Sequence, residues 1–196
     1  MMKKIAFFVL LFLLVGCGSK TTIKNGDSKT YSFFKNFNTK KYYVSFWDRN
    51  TSINDDTKII MARNDDKDYY EFDGYQKNII IQKDGKRYDV NPNEKNYFVS
   101  QKEYEDFSYG ILPSDIGWLK KAKYEAGVEK IYNKKYSFEK FTNGSDSSIY
   151  YFNGKKLIYI KHISIQNTVL LRFNFMKFDF SSKIFEINKD FTEITY

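Results

Sequence analysis

Hydrophobic positions fall into three regimes along the chain. Residues Ile5 to Gly16 form one unbroken apolar block, Ile-Ala-Phe-Phe-Val-Leu-Leu-Phe-Leu-Leu-Val-Gly, behind Lys3 and Lys4. The block is too short for a membrane-spanning helix of about 20 residues. A short basic start followed by such a block is the layout of a secretory signal, which predicts a signal peptide over 1–16. Gly18 to Ser28 is almost free of apolar side chains and rich in Gly, Ser, Thr, Lys and Asn, the composition of a flexible tether. From Lys29 onward, short aromatic and β-branched runs alternate with turn residues.

Tyr31, Phe33, Phe34 and Phe37 are spaced for a short amphipathic helix within 29–40, with Asp27 or Ser28 as its cap. Strands are predicted over 41–48, 57–63, 68–72, 78–83, 86–90 and 96–100, where Val, Ile, Tyr and Phe concentrate. Asp84-Gly85 is a hairpin turn between two of them. Helical turns are expected over 101–109 and over 114–123, the latter capped by Ser114, with Ile116, Leu119 and Ala122 on one face and Trp118 beside it. The last third returns to strands over 127–132, 135–142, 149–152, 156–164 and 169–178. Turns are expected at Asn133-Lys134 and Asn153-Gly154, and a polar loop over 143–148. In the last strand Leu171, Phe173 and Phe175 alternate with Leu170, Arg172 and Asn174, which places the first set on one buried face. The pattern describes a single α+β domain over 29–196, mostly antiparallel β, with a few short helices.

The 196 residues include 38 aromatics (17 Tyr, 19 Phe, 2 Trp) and one Cys and one His. A single Cys excludes an internal disulfide and a Cys-rich zinc site. A single His excludes multi-His metal centres, and no residue pattern calls for a cofactor. The net charge of +8 comes from 28 Lys and only 4 Arg (Arg49, Arg63, Arg87, Arg172). Nucleic-acid readers depend on arginine forks for phosphate and guanine, so scattered lysines are read as a solvated surface with no nucleic-acid partner. The aromatic load exceeds what a closed core of this size needs. It points to an apolar hollow or a partner-docking face, with Trp47, Tyr88, Trp118, Phe173 and Phe175 as candidate contact residues.

Catalytic patterns are sparse. His162 stands on a strand beside Lys161 with no triad spacing. No nucleophile elbow, phosphate loop or dinucleotide fingerprint occurs. Asn64-Asp65-Asp66-Lys67-Asp68 opens like a calcium loop but has Tyr69 where Gly is needed and Tyr75 where Glu is needed, so it reads as a turn between strands.

Leu14-Val15-Gly16-Cys17 resembles the bacterial lipobox. The resemblance implies cleavage between Gly16 and Cys17, a diacylglyceryl group on the Cys17 sulfur, and a mature chain of residues 17–196 anchored outside the cytoplasm. Two acyl chains hold where one would not. Further along, Ile79 to Val90, Gly127-Val128-Glu129-Lys130-Ile131 with Tyr136-Ser137-Phe138-Glu139, Tyr151-Phe152 through Ile160, and Ser182 to Ile187 resemble stretches of the LolA/LolB superfamily. That resemblance implies an incomplete, half-open β-barrel with helices plugging its hollow. The layout is also similar to that of GerS-type clostridial spore-germination lipoproteins, which implies regulation of a peptidoglycan (cortex) amidase by direct binding.

Two functions follow as expectations. One is a membrane-anchored, non-catalytic lipoprotein that binds and regulates an envelope or spore-wall protein, through a sheet edge or aromatic face that could equally pair with a second copy. The other is a carrier that holds lipid or lipoprotein in the hollow. The anchor common to both is directly testable. Growth with an alkyne-tagged palmitate analogue is expected to label the protein, and Cys17→Ser is expected to abolish both the label and membrane retention. Labelling that survives Cys17→Ser would refute the anchor.

Overall fold

The computed structural model describes residues 27–50, 55–102, 111–113, 116–165 and 168–195. The expected signal peptide, Cys17, most of the tether, most of the helical stretch at 101–109 and the Ser114 cap lie outside these residues.

Twelve strands form one open sheet. In chain order they are β1 (Lys41–Asn50), β2 (Asp55–Asn64), β3 (Lys67–Asp73), β4 (Lys77–Lys83), β5 (Lys86–Asn91), β6 (Asn96–Gln101), β7 (Lys123–Ile131), β8 (Lys134–Asn143), β9 (Asp146–Asn153), β10 (Lys156–Ile163), β11 (Thr168–Lys177) and β12 (Thr192–Glu193). Their spatial order is β12-β6-β5-β4-β3-β2-β1-β11-β10-β9-β8-β7. Two antiparallel meanders, β1–β6 and β7–β11, thus meet where β1 pairs with β11. Only the short β12 runs parallel to its neighbour β6. Two short helices, α1 (Lys29–Phe34) and α2 (Ile116–Lys121), accompany the sheet.

The turns follow the residues that tolerate a left-handed backbone. Gly85, Gly144 and Gly154 have positive φ at Asp84-Gly85, Gly144 and Asn153-Gly154. Asp65 does the same between β2 and β3, where the acidic run is indeed a turn. Residues 143–148 are tighter than expected: β8 continues to Asn143 and β9 begins at Asp146, which pairs Thr142 with Ser147. The β7–β8 turn is also displaced. Its left-handed residues are Tyr132 (φ 46°) and Asn133 (φ 65°) rather than Asn133 and Lys134.

Both helices lie on one face of the sheet, here called the inner face. Phe34, Val44, Phe46, Phe141, Tyr150, Phe152, Ile160 and Leu119 are buried there together, with Ile111 and Leu112. What seats α1 is a carboxylate on the strand below it. Glu139 of β8 is 7% exposed, and its oxygens accept from Lys29 N at 2.9 Å, Thr30 N at 2.7 Å and Thr30 Oγ1 at 2.6 Å. Ser28 caps the next turn by accepting from Tyr31 N at 2.9 Å, and Ser32 N donates to Ser28 O at 3.0 Å. The first four N–H groups of α1 are therefore all satisfied, half of them by a residue 110 positions away. Seated in this way, α1 lays Phe33 against Phe173 (5.4 Å between ring centroids), Phe34 against Tyr150 (5.5 Å) and Phe37 against Tyr42 (5.4 Å). It bridges β9, β11 and β1 across the seam between the meanders. α2 adds Trp118 against Phe141 and places the Lys120 ammonium 4.9 Å from the Tyr31 ring.

The outer face splits into two halves. On the first meander, Ile60, Ala62, Tyr69, Ile81 and Val90 are covered by the C-terminal segment through Phe180, a 3-10 turn at Ser182–Phe185, Ile187 and Phe191. This segment ends as β12, with Thr192 N donating to Lys95 O and Ile194 N to Tyr97 O. On the second meander, Ile131, Tyr136, Ile149 and Tyr151 bury one another beneath Phe138, Ile158, Tyr159, Ile163 and Leu170. Every member of that cluster belongs to a strand, with Tyr132 of the β7–β8 turn reaching onto Tyr159.

β11 departs from the simple alternation. Ser45 pairs with Phe175 and Phe46 with Phe173, leaving Asn174 as a bulge residue. Phe173 therefore packs inward with Phe33 and Phe46. Phe175 instead turns outward and stacks on Tyr43 (5.8 Å, 9° between planes). The one-faced set Leu171, Phe173, Phe175 is split by the extra residue.

Removing the Glu139 carboxylate leaves two helix N–H groups and a threonine hydroxyl buried without partners. Hydrogen bonds to charged groups are worth roughly 1.5–3 kcal/mol each in net terms. Glu139→Ala is expected to cost about 3 kcal/mol and Glu139→Gln about half that, read from urea unfolding midpoints at constant slope. A loss below ~0.5 kcal/mol for Glu139→Ala, the range of an ordinary surface change, would show that α1 is held by its aromatics alone.

Candidate functional site

The bare half of the outer face has one chemically distinct point, built from three strands and one turn. β1 pairs Trp47 with Arg172 of β11, and β10 pairs Tyr159 with the same Arg172. The three side chains therefore stand in a row on one face, arginine in the middle. Tyr132 reaches in from the β7–β8 turn, its ring centroid 6.1 Å from that of Tyr159, and Tyr136 lies 5.5 Å from Tyr159 on the other side. Trp47, Asp56, Tyr132, Tyr159, Leu170 and Arg172 together line a cleft of about 50 Å³.

Two details of the chain build this arrangement. A two-residue turn with both residues at positive φ suits Asn-Gly, and a bulky residue there costs about 1–3 kcal/mol. Tyr132 occupies the first of these positions and keeps nearly half its surface exposed. At the sheet edge, Phe138 lies across β7 because residue 127 is glycine. A Cβ there would sit 2.9 Å from the Phe138 ring. Phe138 then meets Tyr151 at 6.2 Å, and the Tyr151 hydroxyl donates to Glu129 at 2.8 Å. The aromatic field thus runs from the seam to the edge strand.

Basic side chains outnumber acidic ones on this face, which also carries Glu129, opposite Tyr136. Lys58, opposite Trp47, Lys161, opposite Leu170, and Lys134, opposite Ile131, surround the cleft on the same face. Asp56 is the acid on its rim. Of the arginines whose side chains are described, Arg63 is paired with Asp68 (2.6 Å) and Arg87 with Asp89 (2.8 Å). Arg172 is exposed and makes no ion pair or hydrogen bond among the described residues. Burial pushes the Tyr159 phenol above its ordinary value, with Tyr136 adding to this and Arg172 opposing it.

The five aromatics singled out in the sequence do not share one surface. Trp47 is in the cleft. Tyr88 packs on the outer face of the first meander beside Tyr97, with the Lys83 ammonium 5.5 Å from its ring. Trp118 and Phe173 belong to the inner core, and Phe175 stacks on Tyr43. Arg172, Tyr132 and Tyr159 carried no functional sequence signal, although Arg172 is conspicuous in a chain that otherwise uses lysine. What brings them together is strand order, which local pattern does not encode.

A second concavity lies at the other end of the seam. Phe33, Asn36, Phe173, Asn174, Phe175, Met176 and Phe178 line an open, largely apolar groove of about 380 Å³ beside α1. The hollow between the helices and the sheet is itself filled: Phe34 and Leu119 are fully buried there, and Ile111 and Leu112 nearly so.

His162 sits on the inner face of β10 with Nδ1 3.2 Å from Ser148 Oγ. Burial lowers its pKa below the ordinary 6.5, and Asp146 opposes that only in part.

No family model matches the chain, and no curated protein matches its sequence. The crystal structure of an uncharacterized conserved protein from Thermus thermophilus is 9% identical and superposes with a TM-score of 0.44, over 85% of this chain and 96% of that one.

As the only imidazole, His162 gives a single titrating signal by NMR. It is expected to titrate below 6.5. Since the unfolded chain then binds the proton more tightly, the group's contribution to stability is lost as pH falls through the window below 6.5. A midpoint at or above 6.5 would mean that its ring is solvated rather than packed.

Proposed function

We propose that this chain is a membrane-anchored, non-catalytic lipoprotein whose LolA-like, half-open sheet binds and regulates a protein of the cell envelope or spore wall. A peptidoglycan (cortex) amidase acting during germination is the partner the family resemblance suggests. The observation that supports this reading is the contrast between the two halves of the outer face. The chain covers one half with its own C-terminal segment and leaves the other, where tyrosines surround an exposed arginine, without such a segment. Tyr, Trp and Arg are the residues that dominate binding energy at protein interfaces. The same half ends in β7, the terminal strand of the sheet, whose Val128 is 66% exposed. An open edge of this kind can accept a strand from a partner or from a second copy. The lipobox supplies the anchor.

The carrier reading draws on the groove beside α1, which has the volume and the Phe and Met lining to hold part of an acyl chain. It is the weaker of the two, because the interior that would serve as a sealed hollow is occupied by α1, α2 and residues 111–112.

Both readings are tested by one isolation. The full chain, tagged after Tyr196, is extracted from native membranes or spores in mild detergent, and its companions are identified by mass spectrometry. A stoichiometric envelope protein, such as a peptidoglycan hydrolase, is the expected result. Lipid beyond the Cys17 anchor, with no protein partner, would overturn the regulator reading in favour of the carrier.

A further inference from the structure

We propose that the Arg172 cleft receives the carboxylate of an acidic residue on a partner protein, with an adjoining apolar side chain of that partner lying on Tyr132 and Tyr159. This rests on the partner-binding reading above and specifies the chemistry of its contact point.

The argument begins with the guanidinium. Arginine offers a rigid planar fork that matches a carboxylate through two parallel hydrogen bonds. Among the described residues arginine meets carboxylate twice: Arg63 bonds Asp68, and Arg87 holds Asp89 through Nε and Nη2. Arg172 is the third described case and has no such acid. Trp47 and Tyr159, directly across from it on either side, screen it from water laterally. A charge-assisted bond formed there is worth more than one on an open surface.

The size of the cleft narrows the ligand. A cleft of about 50 Å³ has room for a carboxylate-sized group beside the guanidinium. A phosphate is a poorer match, because its further charged oxygens would find no second cation in the cleft lining. The surrounding Lys58, Lys134 and Lys161 give the face a positive potential that favours an acidic partner and speeds its approach. The half-buried aromatic ring around the cleft would exclude water from the bound pair, as the rim of an interface hot spot does.

The chain carries its own reporters. Two tryptophans give two indole N–H signals, and four arginines give four Nε–H signals, with Arg172 assigned by its loss in Arg172→Lys. The probe is the capped dipeptide N-acetyl-Phe-Glu-amide, with N-acetyl-Phe-Gln-amide as its neutral match. The glutamate peptide is expected to shift the Trp47 indole and the Arg172 Nε signals in the millimolar range. The glutamine peptide is expected to bind about 10-fold more weakly, and Arg172→Lys to lose a similar factor although the charge is kept. Unchanged signals elsewhere establish that the variant is folded. Equal binding of the two peptides, or full binding by Arg172→Lys, would overturn the proposal. It would also fall if N-acetylmuramic acid or phosphatidylglycerol vesicles moved these signals more strongly than the peptide, since the site would then belong to glycan or membrane. The two levels fail separately. If tagged Arg172→Lys still recovers the wild-type partner in full, this contact is refuted and partner binding stands. If the wild type recovers no protein, the broader reading is what fails.

Discussion

The burial of Glu139 is the constraint from which the inner face is organised. A carboxylate at 7% exposure on a β-strand is stable only if its oxygens are fully hydrogen-bonded. Here the donors are the first N–H groups of α1 and the Thr30 hydroxyl. A helix of six residues has little stability of its own. The strand thus needs the helix to solvate its charge, and the helix needs the strand to satisfy its backbone. Once α1 is fixed at its N-terminus, the positions of Phe33, Phe34 and Phe37 follow. These three rings tie β9, β11 and β1 together over the seam between the meanders.

The sheet handles its two ends differently. At the first meander the C-terminal segment pairs with β6 and roofs five buried side chains, so edge and outer face are closed by the chain itself. At the second meander, β7 ends the sheet, and the cluster around Tyr151 depends on neighbouring side chains for its burial. Tyr151 still reaches full burial because Gly127 lets Phe138 lie flat across the edge. That packing is lateral, which leaves the upper surfaces of Tyr132 and Tyr159 and the arginine between the strands open to a ligand.

Local chemistry in the sequence was enough to place most strands, the Asp84-Gly85 and Asn153-Gly154 turns and the Ser28 cap, because each depends on residues within a few positions. The mostly antiparallel sheet with two short helices follows from those. Three features were illegible in the sequence. The bulge at Asn174 is set by the register against Ser45 and Phe46, more than a hundred residues away, and it turns Phe175 to the face opposite Phe173. The left-handed Tyr132 breaks turn preference, which made Asn133-Lys134 the better local guess. Glu139 reads as one more polar position on a strand until α1 is placed above it. The Arg172 cleft shares this property: Trp47, Tyr159 and Tyr132 come from three separate hairpins, and only the strand order makes them neighbours.

The cleft and the helix are coupled through β11. Arg172 projects outward from this strand, and Phe173, the next residue, projects inward onto Phe33 of α1. Asn174 then bulges, its amide 3.5 Å from Ser45 Oγ of β1. A bulge alone would loosen the ladder and let the outward arginine wander. Packing Phe173 against α1 and Phe46 removes that freedom from the inner side, so Arg172 is presented from a backbone already fixed before any ligand arrives. Fixing the groups in advance lowers the entropy that binding must overcome. The buried carboxylate of Glu139 thus bears on the outer face as well: it seats α1, α1 holds Phe173, and Phe173 sets the strand from which the exposed arginine extends.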